Sequence, residues 1–431
     1  MTEPPTPGEF GTATPGEFGT ATPGEFGTAA PGDLRVCVFT SAHDCTDSRV
    51  VNRETVTLEE TGYDVTYYTP FEGDCPVEAV RYAGAEEGRM VSIPTRLAWA
   101  GTLARLLSGT DYDVYHFHDA EVLPLGVALG VLTDGIVIYD VHENVEDVLA
   151  HRPIFPRPVR PLLAKAVSAV ELTLARHVDA IVAASPDVAE RFEDYDEVTT
   201  VTNYPERRWA EETDLDQRNE SDDEGAVKFI YRGLLSEERG IFTLLEAVER
   251  VPDEYDVRFV LGGRYASEEV EKRIRSHVDR SDRVELVGWL PSLADVIDLY
   301  RECDVGLMCF HPGPNRNDAV HRSNKLFQYM AAGLPILVSD IEAWANFVDE
   351  IGCGVAVDPE RPDEIADAMV ELADDPERRA EMAENGHETA LDRFNWDTQR
   401  EKLLDLYERL TGVESEPEED VKVIGDGGWR R

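Results

Sequence analysis

Short apolar runs alternate with helix-like stretches along most of this 431-residue chain, and this alternation constrains its fold more than any other feature. Parallel strands joined by helices form sheets that are covered by helices on both faces. The chain is long enough for two such units with separate cores. We therefore predict an α/β protein with two doubly wound, Rossmann-like domains that face each other across a cleft. The strands are expected at 35–40, 64–68, 113–117, 136–141, 179–184 and 198–202, and at 227–231, 257–261, 284–287, 304–309, 335–338 and 354–357.

Composition divides the chain into further segments. Residues 7–30 contain three octads, PGEFGTAT twice and PGEFGTAA once, each with a single phenylalanine. So little apolar surface cannot offset the entropy of ordering, and we predict a disordered tail. The hydrophilic run 206–225 is interpreted as an acidic linker or a long surface loop. The predicted organisation is a tail at 1–33, a first domain at 34–205, the linker at 206–225, a second domain at 226–394, a final helix at 395–411 and an acidic tail at 412–431.

The charge of the chain is strongly negative, at −46, and only six of its 41 basic residues are lysines. Such a composition is typical of proteins adapted to molar salt, where the Debye length of about 3 Å screens self-repulsion. We interpret the protein as halophilic in type. A surface this acidic also argues against nucleic acid as a partner.

The cysteines and the hydropathy pattern bear on cellular location. Six cysteines are scattered without a CxxC motif, and we expect them to be reduced and mostly buried. No apolar run reaches the roughly 18 residues of a spanning helix, and the first residues lack the pattern of a signal peptide. We expect a cytoplasmic protein, with contact at the cytoplasmic face of the membrane as an open alternative.

That alternative rests on residues 148–170, which contain no aspartate or glutamate. Arg152, Arg157, Arg160 and Lys165 lie there among apolar residues. The segment fits peripheral docking on an anionic membrane or a lipid-phosphate acceptor. It fits equally a buried helix whose arginines pair with the acidic surface, so both interpretations stay open.

Residues 323–340, SNKLFQYMAAGLPILVSD, carry the clearest sign of a ligand site. Lys325 and Gln328 are three residues apart and share one face near the start of a predicted helix, where the dipole favours an anion. Gly333 suits the position after the helix, and Pro335 prevents its continuation. A cation and an amide placed in this way suit a phosphorylated, hydroxyl-rich ligand. The alternative is an ordinary helix–strand junction with a surface lysine.

Polar side chains follow the predicted strands of the first half, where open α/β sheets bind ligands. His118 and Asp119 follow one strand, although an isolated histidine is more often structural than functional. His142, Glu143 and Asn144 follow the next strand. Their spacing with His116 matches no standard zinc pattern, so no metal site is predicted. Asp47 and Arg49 follow the first strand and either contact a ligand or begin a helix that Asp47 caps.

Taken together, several segments resemble the retaining GT-B glycosyltransferases of family 4, over about residues 34–411. YRGLLSEERG at 231–240 is similar to the phosphate loop of that family, and 324–340 is similar to its donor helix. VELVGWLP at 284–291 and CDVGL at 303–307 are similar to its segments beside the nucleotide. HFHD at 116–119 and YDVHE at 139–143 are similar to its acceptor-facing loops.

The resemblance implies transfer of a sugar from a nucleotide-sugar to a lipid-linked or polysaccharide acceptor, with retention. It implies no cofactor beyond the nucleotide-sugar substrate, no metal at the reacting centre, and a final helix that crosses back to the first domain. By position, the resemblance assigns catalysis to His118 and Asp119; donor binding to Arg232, Gly233, Arg239, Gly262, Gly263, Asn324, Lys325 and Gln328; and acceptor binding to Asp47, Arg49, His142, Glu143 and Asn144.

The chain departs from the family pattern at three positions. Gln328 stands where the family usually has a glutamate that binds ribose, and an amide can still donate and accept hydrogen bonds there. Val320 and Leu234 stand where a second glutamate and an arginine are expected. Two other functions therefore remain open: a nucleotide-sugar 2-epimerase, which needs carboxylates near the sugar, and a non-catalytic nucleotide-sugar-binding subunit.

Overall fold

The computed structural model of the protein describes residues 30–85, 93–151, 157–215, 225–290, 293–313, 317 and 320–414. The octads and most of the acidic tail lie outside the described residues, as does 216–224 of the predicted linker. The first part of that linker forms a short helix, in which Trp209 is buried in the core of the second domain. Val413, just after the final helix, is buried in the first domain.

The first domain is built on a parallel sheet with the order β3-β2-β1-β4-β5-β6-β7. Its central strands β4, β5 and β6 are buried along their whole length, as expected for a sheet covered on both faces. β3 was not predicted, because this edge strand is partly exposed and lacks a continuous apolar run. The strands are β1 Arg35–Phe39, β2 Asp64–Phe71, β3 Ala79–Ala85, β4 Val114–His118, β5 Ile136–Val141, β6 Ala180–Ala183 and β7 Val198–Thr200.

Helices cover both faces of this sheet. A π-helical turn, Val50–Thr55, leads into α1 on one face, and α2, α3 and α5 share a core on the other face. Across the described residues, no helix combines the length and the apolar character needed to span a membrane. The helices are α1 Val56–Glu60, α2 Ile93–Leu106, α3 Leu123–Leu132, α4 Val145–His151, α5 Arg160–Leu174, α6 Pro186–Ala189 and, in the linker, α7 Arg208–Glu211.

The second domain has a parallel sheet with the order β10-β9-β8-β11-β12-β13. Its strands are β8 Val227–Leu235, β9 Val257–Tyr265, β10 Val284–Gly288, β11 Val305–Met308, β12 Ile336–Ser339 and β13 Gly354–Val357. Its helices are α8 Ile241–Val248, α9 Glu268–Val278, α10 Leu293–Arg301, α11 Asn324–Ala331, α12 Glu342–Ile351, α13 Pro362–Asp374 and α14 Pro376–Asp392. α12 was not predicted. Gly333 adopts a φ of 64° just after α11, as predicted for the end of that helix.

The last helix, α15 (Trp396–Thr411), leaves the second domain and packs on the first, as predicted. Asn395 caps it, because its side-chain oxygen accepts a hydrogen bond from the backbone N–H of Thr398 at 3.2 Å. Trp396, Leu403 and Tyr407 then bury their side chains in the first core. The backbone N–H of Trp396 also donates a hydrogen bond to the carbonyl of Pro205 at 2.7 Å. This bond joins the two segments in which the chain passes between the domains, one near Pro205 and one near Trp396.

The prediction that all six cysteines are reduced is wrong. Cys45 and Cys75 form a disulfide, with their Cα atoms 4.7 Å apart. The bond joins the loop after β1 to the segment after β2, which lie side by side because β1 and β2 pair. The scattered spacing could not reveal the pair, since partners 30 residues apart meet only through the fold. The other four cysteines, Cys37, Cys303, Cys309 and Cys353, are buried and form no disulfide within the described residues.

Candidate active site

The carboxyl ends of β1, β4 and β5 bring several polar residues of the first domain together. His118 ends β4 and is fully buried. Asp119 follows it with a φ of 79°. Among the described residues, it is the only non-glycine residue with a positive φ. Its carboxylate accepts hydrogen bonds from the Thr40 hydroxyl at 2.7 Å and the Ser41 N–H at 2.8 Å. These contacts hold a strained backbone at the site, as is typical of functional residues.

His43 is a site residue that the sequence did not reveal. Its Nδ1 lies 2.7 Å from Asp47 Oδ2, and its Nε2 lies 3.5 Å from Asp119 Oδ1. Burial opposes protonation of this ring, but the two carboxylates outweigh burial and raise the pKa of His43 to about 10. The same contacts lower the pKa of Asp119 and of Asp47. His43 is therefore a charged imidazolium, and no motif in the loop could have indicated it.

His118 and His142 form a second, uncharged part of the site. His118 Nδ1 lies 3.0 Å from His142 Nε2, so one ring donates a hydrogen bond to the other. Burial lowers the pKa of His118 well below its usual value and that of His142 to about 4. The His142 ring also packs on His43, with ring centroids 4.7 Å apart. The structure thus brings together His118, Asp119 and His142, as the sequence predicted for neighbouring strand ends.

Asp47 and Arg49 lie at the edge of this cluster and beneath it, respectively. Asp47 Oδ1 accepts hydrogen bonds from the N–H groups of Arg49 and Val50 at 2.9 and 2.8 Å, so it caps the turn that follows. The guanidinium of Arg49 is buried and forms ion pairs with Asp140 at 2.9 Å and Glu54 at 2.8 Å. This geometry favours structural roles for both residues over acceptor binding.

Glu143 and Asn144 lie next to the histidines on the loop after β5. The side-chain oxygen of Asn144 accepts a hydrogen bond from the N–H of Glu146 at 3.0 Å, at the start of α4. Glu143 is exposed at the rim. Of the two, Glu143 therefore has the side chain that a ligand could reach without breaking a helix cap.

The cluster also has the composition of a metal site. Ligand atoms of His118, Asp140 and His142 lie within 4.8 Å of one another. However, the guanidinium of Arg49 is bound to Asp140, and its charge opposes a second cation there. The charged ring of His43, whose centroid lies 4.7 Å from that of His142, adds to that repulsion. The residues present therefore do not favour a metal ion.

In the second domain, three cations converge at the ends of β8 and β9. Arg232 lies in the carboxyl-terminal half of β8, three residues before its end, Arg239 lies in the turn before α8, and Lys325 lies in the first turn of α11. Burial and the charges of Arg239 and Arg232 lower the pKa of Lys325 to about 7. Within the described part of the chain, none of the three forms an ion pair with a carboxylate. Unneutralised cations in a chain of net charge −46 mark a site for an anion.

Glycines allow the backbone to approach this site closely. Gly233 has a φ of 151°, and a Cβ at this position would lie 2.3 Å from Lys325 Cε. It pairs with Gly263, whose φ is 140°. Gly262 packs against β10, where a Cβ would lie 2.9 Å from a methyl group of Val287. Gly263 allows β8 and β9 to pair closely, since a Cβ there would lie 1.7 Å from the carbonyl oxygen of Gly233, and Gly262 serves packing against β10. The donor-binding role of the three glycines stays a prediction.

The polar residues of α11 complete this side of the cleft. Asn324 begins the helix, and Gln328 accepts a hydrogen bond from the Tyr300 hydroxyl at 3.5 Å. Val320 is buried in the core, so nothing polar replaces the missing family glutamate at that position. Leu234 is about half exposed next to Gly233. Gln328 thus keeps one polar contact, while its amide nitrogen remains available to a ligand.

Trp289 is a second residue that the sequence did not single out, although it lies within the predicted nucleotide segment. Its ring lies 4.9 Å from the Arg232 guanidinium and 4.1 Å from that of Arg264. It borders an open cleft of about 700 Å³ that is also lined by Gly263, Arg264, Tyr265 and Gly288. A planar ring held by guanidinium groups offers a stacking surface beside the cation cluster.

Two polar contacts join the domains near these sites. The Tyr204 hydroxyl lies 2.8 Å from His321 Nδ1, and Arg322 forms an ion pair with Asp187 at 3.2 Å. Two Rossmann-like domains, a cation cluster beside glycine-rich strand ends and a helix that crosses back define the GT-B class of glycosyltransferase folds.

Comparison with known proteins agrees with this assignment. Residues 226–375 match the family described as glycosyl transferases group 1, and residues 48–203 match Glycosyltransferase Family 4. The chain belongs to this group 1/family 4 of glycosyltransferases.

Individual relatives are distant. The lipopolysaccharide core biosynthesis glycosyltransferase LpsE of Rhizobium meliloti is 26% identical over 56% of this chain and 66% of its own length. The chain spans only half to two thirds of the first curated relatives it matches. The fold resembles sucrose-phosphate synthase from Thermosynechococcus elongatus, with a TM-score of 0.65 and 16% identity over 88% of this chain and 99% of that one. It also resembles HepE of Anabaena, solved with UDP, with a TM-score of 0.62 and 14% identity over 87% and 99%.

Proposed function

We propose that the protein transfers a sugar from a nucleotide-sugar to a hydroxyl group of a glycan or lipid-linked acceptor, with retention of anomeric configuration. The observation that carries this proposal is the cluster of Arg232, Arg239 and Lys325 around Gly233. In the described segments these three cations have no acidic partner, and such a group suits the negative charge of a diphosphate. The UDP present in the solved structure of HepE supports a nucleotide donor for this fold.

The donor would lie with its diphosphate on these cations. A guanidinium can hold two phosphate oxygens at once, and Lys325 adds a point charge. Gln328 would hydrogen-bond the ribose, and Trp289 would lie beside the base. Because the leaving diphosphate gains negative charge as the glycosidic bond breaks, the cations stabilise the transition state more than the ground state.

The acceptor would enter from the first domain, beside His118 and Asp119. The acceptor oxygen attacks the anomeric carbon on the face from which the phosphate leaves, and the hydroxyl proton passes to a departing phosphate oxygen. His118 would orient the sugar, since its buried neutral ring can donate or accept a hydrogen bond. Asp119 is held ionised by His43, and its carboxylate would keep the charged His43 ring in position at the site.

Ligand-induced thermal stabilisation in high KCl tests the donor site. Nucleoside diphosphates and nucleotide-sugars are screened on the wild type, on Arg239→Ala and Lys325→Ala, and on the exposed Lys272→Ala as a matched control. A ligand present at 100 times its Kd stabilises the native state by about 2.7 kcal/mol. We expect one nucleotide class to stabilise the wild type and the control but neither site variant.

The outcomes separate the candidate functions. Transfer of sugar from the identified donor to an added acceptor supports the proposal. Donor conversion to a stereoisomer without acceptor identifies an epimerase instead, and binding without any turnover identifies a non-catalytic subunit. If no nucleotide stabilises the folded wild type, the proposed donor site is wrong.

A further inference from the structure

The exposed apolar side chains of this protein are concentrated on one face of the first domain. Ten large hydrophobic residues are exposed among those the structure describes, and seven of them lie on or next to α2, α3 and α5. Leu132 at the end of α3 is 79% exposed, and Leu162 in α5 is 76% exposed. The seven are Leu97, Leu106, Val131, Leu132, Val159, Leu162 and Val170. Exposed apolar side chains gathered on one face of a domain mark an interaction surface.

The charge of this face differs from that of the rest of the chain. Asp and Glu make up 87 of the 431 residues, yet α2, α3 and α5 contain a single acidic residue, Glu171. Glu171 is buried and paired with Arg191 at 2.6 Å, so it contributes no negative charge to the surface. Four basic residues lie on the same helices: Arg96, Arg105, Arg160 and Lys165. Acidic side chains border this face at Glu121, which forms an ion pair with Arg96 at 3.1 Å, at Asp134 and on α4.

The solvent side of α5 shows the pattern most clearly. Along this helix the buried positions, Ala164, Ser168 and Glu171, face the sheet. The exposed positions of the helix are mostly apolar, with one lysine and one threonine: Pro161, Leu162, Lys165, Ala166, Ala169, Val170 and Thr173. This is the reverse of an ordinary surface helix, which turns its polar side to water. For the described part of 148–170, the exposure of Leu162, Lys165 and Val170 supports the docking interpretation.

We propose that this three-helix face, formed by α2, α3 and α5, docks the protein on an anionic lipid bilayer. Apolar side chains with interspersed Lys and Arg are the composition that lies in the interface of such a membrane. A second copy of the chain is the less favourable occupant, because a symmetric contact would oppose one positively charged face to another. At molar salt the charge attraction is screened, so the apolar side chains must supply most of the binding.

Docking there would serve the site described above. α5 begins near the carboxyl edge of the sheet, soon after β5, and His142 lies at that edge. An acceptor anchored in the bilayer would therefore approach the first domain beside its candidate acceptor residues. The docking inference goes beyond the transfer reaction and does not depend on it.

Flotation of the full chain with vesicles tests the inference. Vesicles of phosphatidylglycerol and of phosphatidylcholine are compared, at low and at molar KCl. We expect the wild type to float with the anionic vesicles, and Leu162→Glu combined with Val170→Glu to reduce the bound fraction at least tenfold. Lys165→Glu should weaken binding at low salt, whereas the matched Lys272→Glu on the exposed side of α9 should not.

Folding and donor binding are measured separately on every variant, by thermal denaturation and by nucleotide-induced stabilisation. A variant that keeps both but no longer floats supports the inference, even if the wild type transfers no sugar. Absence of flotation by the folded wild type overturns the inference, as does equal flotation of the double variant. A wild-type dimer in light scattering that becomes monomeric in the double variant assigns the face to a second copy instead.

Discussion

Lys325 occupies the space above Gly233 in which any other residue would place its Cβ, at 2.3 Å from the lysine Cε. The two residues lie 92 positions apart and meet because α11 begins beside the end of β8. The absence of a side chain at one position therefore sets the place of the charge at the other.

Gly233→Ala should weaken nucleotide binding by about tenfold or more, which corresponds to about 1.4 kcal/mol. The added methyl group displaces Lys325, and a φ of 151° is unfavourable for alanine. Gly101→Ala is the control, because its Cβ meets nothing within 4 Å and alanine favours the helix. Isothermal titration with the identified nucleotide measures both. Equal affinity of Gly233→Ala and wild type would show that the position of Lys325 does not depend on a glycine at residue 233.

Binding of a nucleotide-sugar should weaken as the pH rises above about 7. Burial and two neighbouring arginines lower the pKa of Lys325 to about 7 in the free protein, and a bound diphosphate should raise it. Below pH 7 the lysine is already charged, so the affinity is constant; above pH 7 binding must take up a proton. Titrations in buffers of different ionisation enthalpy measure that uptake. Lys325→Arg should bind without it, since arginine stays charged throughout.

His118→Asn should lower kcat by about 100-fold while donor affinity stays within a factor of about two, because correct placement of reactants is worth that much. The proposed donor contacts all lie in the second domain, so nucleotide binding provides the internal control. Steady-state kinetics with the identified donor and acceptor give kcat, and titration gives the affinity. A parallel loss of both would instead show that His118 supports the fold.

Replacement of Cys45 and Cys75 by serine should destabilise the protein by about 3 kcal/mol, a typical value for a disulfide that closes a loop of this length. The loop it anchors holds His43 and Asp47, so activity should fall as well. Denaturant unfolding with and without reductant measures the difference. Reductant should lower the stability of the wild type and leave the double variant unchanged; a wild type insensitive to reductant would contradict the disulfide.

The sequence predicted those parts of the molecule that depend on local pattern. The alternation of strands and helices, the glycine after α11 and the charge of Lys325 can be read within a few residues of each position. Contacts between distant loops could not be predicted in this way. His43 reaches Asp119 across two strand ends, and Asp140 meets Arg49 beneath them, without any mark in the flanking residues.

The exposed face of the first domain was predicted only in part. The lack of acidic residues at 148–170 was visible in the sequence, but the contribution of α2 and α3 was not, because apolar residues there fit an ordinary buried helix equally well. Only the packing shows which side of each helix faces the sheet. Periodicity in the sequence indicates that a helix is amphipathic, whereas the tertiary structure shows which of its faces is exposed to solvent.

The crossing of α15 onto the first domain has a consequence for biosynthesis. Trp396, Leu403 and Tyr407 complete a core whose first strand begins at Arg35, so the two ends of that core are separated by most of the chain. Domains usually fold in order as they leave the ribosome. Here the second domain can be finished while the first still exposes an apolar groove. That groove closes only when the final helix has been synthesised, which makes the first domain the last to mature.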